Sequence, residues 1–219
     1  LAERVRAAAE QLNYVPNRAA RALASSRSDT IGLIVHDVSD PYFGEIARGV
    51  LATAAERGHL VVICNTYRDP ATEARYVAEL RAQRVGAILL AGSAVSPADP
   101  AADLLRNELE TTIAGGTTVV AMTPYGVGRG VYPDNIGGGA LAAELLLADG
   151  HRDVVIAAGP AKLVTITNRL RGFLDVWAAA DAPAPTVIHE TFDRVGGSAV
   201  VAAVAEWGEP GPTAVFALN

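Results

Sequence analysis

Cysteine is nearly absent: Cys64 stands alone, so neither an internal disulfide framework nor a thiolate metal cluster can form within the 219 residues. The four histidines, His36, His59, His151 and His189, are scattered, with no pair at a zinc-ligand spacing. No metal and no cofactor is therefore expected. No apolar run reaches the roughly 18 residues that cross a bilayer. The first residues are charged helix formers without the uninterrupted apolar stretch of a secretory signal. A soluble, cytoplasmic protein is the expectation. Lysine is reduced to Lys162 against 17 arginines, which concerns codon usage rather than chemistry.

What the chain does have is aliphatic residues. It is 50% hydrophobic, 19% charged and only 5% aromatic, with a mean hydropathy of +0.24. That excludes a disordered chain and supplies one large or two small cores. The net charge of -6 excludes a global basic field for holding nucleic acid. The charge is uneven, however. Residues 1–28 carry Arg4, Arg6, Arg18, Arg21 and Arg27 against Glu3 and Glu10. A basic arm on an acidic body implies two jobs.

In residues 3–14, Val5, Ala8, Ala9 and Leu12 recur at helical spacing, and Pro16 ends that helix. Asn17 can cap a second segment, RAARALAS, which has little to bury and is too short to be stable alone. From Thr30 the pattern changes. Apolar strands (TIGLIVHDV, HLVVICNT, VGAILLAG, TTVVAMT) alternate with helices (YFGEIARGVLATAAERG, ATEARYVAELRAQR and one through DLLRNELE). Buried strands alternating with amphipathic helices predict βαβ units and parallel sheets.

The Gly-rich link YGVGRGVYPDN leads to a second series of the same design. It holds helices GGGALAAELLLADG, NRLRGFLDVWAAA and GSAVVAAVAEW, with strands DVVIAAG, TVIHETF and TAVFALN. Two such lobes create a cleft at the carboxyl ends of their strands. The last strand reaches Asn219 with no helix to cover it, so Asn219 is not expected to be the natural end of the domain.

The stretch RVRAAAEQLNYVPNRAARALAS closely resembles the third head helix and hinge of the LacI/GalR transcription-factor family. IGLIVHDVSDPYF, DNIGGGALAAELLLADGHRDVVIAAG and NRLRGF agree in order, although these βα segments alone would suit periplasmic sugar-binding proteins equally. The resemblance implies an α/β fold: a two-lobed, periplasmic-binding-protein-like core with parallel sheets, preceded by an all-α remnant of a helix-turn-helix head and a hinge helix. The implied boundaries are 1–15 for the head helix, 16–28 for hinge and linker, 29–130 for the N-terminal lobe and 131–219 for an incomplete C-terminal lobe.

The implied function is a sequence-specific regulator of transcription, a homodimeric repressor of a pseudo-palindromic operator, with a small-molecule effector, a sugar or sugar derivative, between the lobes. The implied hinge contacts to DNA are Asn17, Arg18, Ala20, Arg21, Leu23 and Ala24. Their chemistry is apt. Arg18 and Arg21 share a helical face and can address phosphates, Leu23 suits a minor-groove wedge, and the alanines keep the segment slim. A solvated linker with surface arginines is the competing reading.

In the core, the resemblance places Asp40, Tyr42, Phe43, Thr123, Arg169 and Phe192 at the effector cleft. Aromatic rings can stack on a sugar's apolar face, and an arginine's fork of donors can orient its hydroxyls. Core packing is the plain alternative for each aromatic. Two departures point to a smaller or less hydroxylated ligand than a hexose. Thr123-Pro124 replaces an Asp-Arg pair common in the family, and Ala91 and Gly86 stand at positions often polar there. Arg171 reads as a surface charge, Cys64 as a small core residue, and the IGGGA glycines as cap or hinge. No Ser/His/Asp or paired-carboxylate set is supported by its surroundings, so no catalytic residue is assigned and an enzyme is not expected. A solute-binding protein of a sugar transporter is the alternative; it would have no use for PNRAARALAS.

Overall fold

The computed structural model describes residues 2–14, 28–92, 94–95 and 100–218. Helix α1 spans Ala2–Gln11, and the exposed Leu12 and Tyr14 follow it. All six predicted hinge contacts, Asn17 to Ala24, lie outside the described residues.

β1, Thr30–Val35, is the axis of the first lobe. Its side chains alternate between faces, as a strand requires. Ile34 joins a cluster with Val77, Leu80, Leu90 and Leu109, whereas Leu33 and Val35 join Phe43 and Ala91 on the opposite face. Both faces are covered, which is why the strand reads as a continuous apolar run. The covering helices are α2 (Pro41–Glu56), α3 (Pro70–Ala82) and α4 (Pro100–Ala114). Asp40 and Asp69 cap α2 and α3, each followed by a proline that cannot use the amide hydrogen it lacks. With β2 (Leu60–Asn65), β3 (Ala87–Ala91), β4 (Thr118–Ala121) and β5 (Arg129–Gly130), the sheet is parallel in the order β2-β1-β3-β4-β5.

The second lobe is built on β6 (Val154–Ala158), flanked by β7 (Thr186–His189) and β8 (Ala214–Ala217) in a parallel sheet ordered β7-β6-β8. Its core stacks Phe173 against Trp177 and Phe216, with ring centroids 5.1 Å apart in both pairs. The helices are α5 (Asn135–Ala148), α6 (Val164–Ala179) and α7 (Arg194–Ala205). The lobes meet backbone to backbone: Val95 bridges Leu163, and the Val164 amide donates to the Ala94 carbonyl at 3.0 Å.

Three details differ from the sequence reading. β5 lies inside the segment read as a Gly-rich link. α6 begins at Val164, four residues before the predicted NRLRGF start, because Leu163 and Ile166 are buried and tertiary packing overrides the poor helix propensity of Val164 to Thr167. Finally, the glycines of α5 have divided roles. The Gly137 amide donates to the capping Asp134, but Gly139 is the point where α6 crosses, and a side chain there would collide with the Arg169 carbonyl. Gly172 returns the contact against the Ile136 carbonyl. Close helix approach, rather than cap or hinge, explains Gly139.

Candidate functional site

The carboxyl ends of β1, β3 and β4 and the loop after β7 converge on one cavity, as the doubly wound layout dictates. It holds about 70 Å³ of free space, or about 620 Å³ counted to its open mouth. Asp40, Tyr42, Phe43, Thr123, Arg169 and Phe192 all line it, together with His36, Arg68, Ala91 and Gly92. Gly86, by contrast, precedes β3 at the end remote from the cavity, where its amide donates to the Thr30 carbonyl. Its lack of a side chain has no bearing on the ligand, which corrects that half of the argument for a smaller effector.

Each lining residue has a local reason for its position. Asp40 caps α2 by accepting the Tyr42 amide at 2.9 Å, and its other oxygen lies 3.6 Å from Arg68. That carboxylate is already engaged within the first lobe. Capping aims the first turn of α2 at the cavity, where Tyr42 is half exposed and Phe43 is buried against Leu33 and Val35. The two rings meet edge to face at 5.1 Å. Phe43 thus serves the core and the cavity wall together, and Tyr42 is the ring free to meet a ligand. The Thr123 hydroxyl donates to the Gly92 carbonyl at 2.7 Å, so only its oxygen lone pairs remain for a ligand.

Arg169 enters from α6. Its Nε donates to Asn135 Oδ1 at 2.9 Å, and one terminal nitrogen donates to the Leu218 carbonyl. These bonds fix the guanidinium plane and leave donors facing the cavity. Burial lowers the arginine's pKa and the nearby Tyr42 opposes this; the group stays charged at neutral pH. Arg171 faces solvent opposite Asp175.

Among the lining residues that escaped the sequence reading, Arg68 and His36 carry ionisable groups. Arg68 lies in the turn between β2 and α3, within reach of Asp40 and of the Phe192 ring across the cleft. His36, the residue after β1, is only 3% exposed. Burial, assisted by the Arg68 charge, lowers its pKa to about 4, so it is neutral at pH 7. Among the described residues, no group of three or more His, Cys, Asp or Glu side chains could hold a metal ion.

Two parallel sheets with a cavity at their junction, lined by side chains from both, give the architecture of two-lobed small-molecule-binding proteins. The comparisons with known proteins narrow that class. A family profile described as periplasmic binding proteins and sugar binding domain of the LacI family matches residues 28–219, and the chain belongs to that family. It is 34% identical over 187 residues to the HTH-type transcriptional regulator CelR of Thermobifida fusca, covering 81% of this chain and 52% of that protein. It is 29% identical over 212 residues to the HTH-type transcriptional regulator DegA of Bacillus subtilis, covering 95% of this chain and 61% of that protein.

Among solved structures, a LacI family transcriptional regulator from Enterococcus faecium with bound ribose superposes with a TM-score of 0.71 at 26% identity. The match covers 87% of this chain and 67% of that one. The chain therefore spans about half to three fifths of the length of these curated relatives. No helix among the described residues is long and apolar enough to cross a membrane.

Proposed function

We propose that this chain is part of a cytoplasmic, DNA-binding transcriptional regulator, a homodimeric repressor, whose affinity for an operator is set by a sugar or sugar derivative held between its lobes. The observation that carries the reading is the cavity itself. Tyr42 from one lobe and Arg169 and Phe192 from the other line a single space, which pairs stacking surface with a fixed fork of donors. Named relatives that are transcriptional regulators, one of them with ribose bound, support that choice over a transporter's solute-binding protein. The family membership and the regulators among the relatives favour a binding protein over an enzyme.

In this reading, residues 1–15 close the DNA head, 16–28 form hinge and linker, and 29–130 and 131–219 are the two lobes. Asn17, Arg18, Ala20, Arg21, Leu23 and Ala24 meet the DNA, and Asp40, Tyr42, Phe43, Thr123, Arg169 and Phe192 meet the effector. Lobe closure changes the separation of the paired hinge arms, so ligand and DNA binding are linked by a coupling of about 1–3 kcal/mol.

The test is fluorescence anisotropy of the full-length protein on DNA from its own promoter region, titrated with D-ribose, D-galactose and cellobiose. A five-fold or larger shift in DNA affinity with one sugar is expected, and Leu23→Ala should weaken DNA binding without moving sugar affinity. DNA affinity that none of the three sugars changes would overturn the sugar effector, and a sugar-binding full-length protein with no affinity for DNA would favour the solute-binding reading.

A further inference from the structure

His36 is the one histidine of four for which no described residue offers a ring nitrogen a partner. His59 Nδ1 reaches the Asp29 carbonyl at 3.2 Å, His151 Nδ1 reaches Thr213 Oγ1 at 2.9 Å, and His189 Nδ1 reaches the Gly159 carbonyl at 2.8 Å. All three are more exposed than His36, which is 97% buried. Among the described residues the buried side-chain atoms left without a partner are Asn65 Nδ2 and Arg81 Nε. The His36 ring nitrogens are not among them, so the imidazole of this buried residue opens onto space where a partner from outside can bond it.

The position of the ring says where that partner sits. His36 lines the main cavity and also a smaller chamber behind it, walled by Glu73, Tyr125, Arg68, Leu105 and Leu163. The chamber's free space of about 20 Å³ takes one water-sized group such as a hydroxyl. The ring is held on one side by Phe43, at 5.6 Å between centroids, and by its own backbone, whose carbonyl accepts the Tyr67 amide at 2.7 Å. On the other side stands Gly92, where a side chain would run into Nε2. Glycine there makes room for an imidazole directed at the cavities, and the Thr123 hydroxyl fixes the Gly92 carbonyl beside it.

A neutral imidazole offers one donor and one acceptor, the complement of an alcohol rather than of an anion. The chamber's acidic group is also satisfied in a neutral manner: the Tyr125 hydroxyl donates to Glu73 Oε1 at 3.0 Å. The only described cation on this wall, Arg68, is already close to Asp40.

We propose that His36 is the deepest hydrogen-bonding residue of the effector site, reading one hydroxyl of a neutral sugar or polyol at the mouth of the Glu73–Tyr125 chamber. This rests on the small-molecule reading given above and adds a residue and a ligand class to it. Substituents that replace that hydroxyl with hydrogen or with phosphate are excluded, the first for want of a partner and the second for want of room and charge.

The chain is tested with D-ribose, D-galactose and cellobiose, and with D-ribose 5-phosphate as the anionic counterpart. Thermal shift identifies the sugar that binds. Its affinity is then measured by calorimetry for the parent, His36→Leu, His36→Gln and Gly92→Ala, with ring-nitrogen NMR of the four histidines. The expected result is a loss of tenfold or more for His36→Leu, recovery to within a few-fold for His36→Gln, and a loss for Gly92→Ala. The His36 ring-nitrogen resonances should move on adding sugar while those of His59 and His151 stay fixed. A bound sugar that leaves the His36 resonances and the His36→Leu affinity unchanged overturns the subsite alone. Tighter binding of the phosphate than of D-ribose overturns the neutral class. No response to any of the three sugars overturns the sugar reading and the subsite with it.

Discussion

Arg68 of the first lobe holds its guanidinium carbon 5.5 Å from the ring centroid of Phe192 in the second. The same group lies 3.6 Å from the Asp40 carboxylate, so one side chain is anchored at home and reaches across the cleft. A cation over an aromatic face contributes about 0.5–2 kcal/mol, the larger figure when partly desolvated, as here. Arg68 is therefore a clasp between lobes, at the edge of the very ring assigned to the effector.

Arg68→Ala should shift the lobes toward an open arrangement and weaken sugar affinity by about 2- to 30-fold, the factor that follows from that range. Arg68→Lys should retain part of the effect. Small-angle scattering with and without sugar reads the first outcome, and calorimetry the second. Identical scattering and affinity for parent and Arg68→Ala would reduce the contact to an incidental one.

The buried pair at the back of the cleft makes a pH prediction with opposing signs. Burial lifts the Glu73 pKa to about 7, with the Tyr125 hydrogen bond opposing. The folded protein then holds a proton that the unfolded chain releases near 4.5, so this contribution is present below about 4.5 and is lost as pH rises through about 7. His36 acts in reverse: its folded pKa of about 4 lies below the ordinary 6.5, so its contribution is present above 6.5 and is lost as pH falls toward 4. Between about pH 5 and 7 the two slopes offset each other in the parent. Glu73→Gln should unmask stability that rises with pH, and His36→Leu stability that falls, each by on the order of 1–3 kcal/mol across the window. Urea denaturation at pH 5, 6 and 7 reads the slopes. Parallel curves for all three proteins would contradict this assignment.

The crossing of α5 and α6 predicts a third outcome. Gly139→Ala places a methyl group against the Arg169 carbonyl, and overpacking of this kind costs about 1–3 kcal/mol. Because the same backbone carries the Arg169 guanidinium, sugar affinity should fall as well. Gly138→Ala, where nothing lies within 4 Å, is the control and should leave both quantities unchanged or slightly improved.

Alternation made much of this legible in advance. TIGLIV and VVIAA announce buried parallel strands because both faces are covered, LVVICN is as apolar although it forms the sheet edge with Leu60 and Ile63 exposed, and Asp40-Pro41 announces the first turn of α2. The six core positions assigned by resemblance all line one cavity. What stayed hidden depends on tertiary context. Arg68 sits in a turn where it and Tyr67 adopt positive φ without glycine, a conformation that leaves no mark in composition. Glu73 lies in ATEARYV, which reads as a solvated face, yet it is 5% exposed beside Tyr125, 52 residues away. His36 reads as a lone histidine at a strand end until Gly92 is seen against it.

Coupling between an effector in the cleft and DNA stands or falls with Arg169. Promoter-DNA affinity of the full-length protein is measured by anisotropy for parent and Arg169→Ala across a titration of the sugar that stabilises the parent. Arg169→Ala should keep the ligand-free DNA affinity of the parent and lose the sugar response, because the bonds to Asn135 and Leu218 hold donors that only the ligand-bound cleft uses. A variant that still responds at the parental sugar concentration would show that Arg169 lies outside the effector site and that the cleft assignment is wrong.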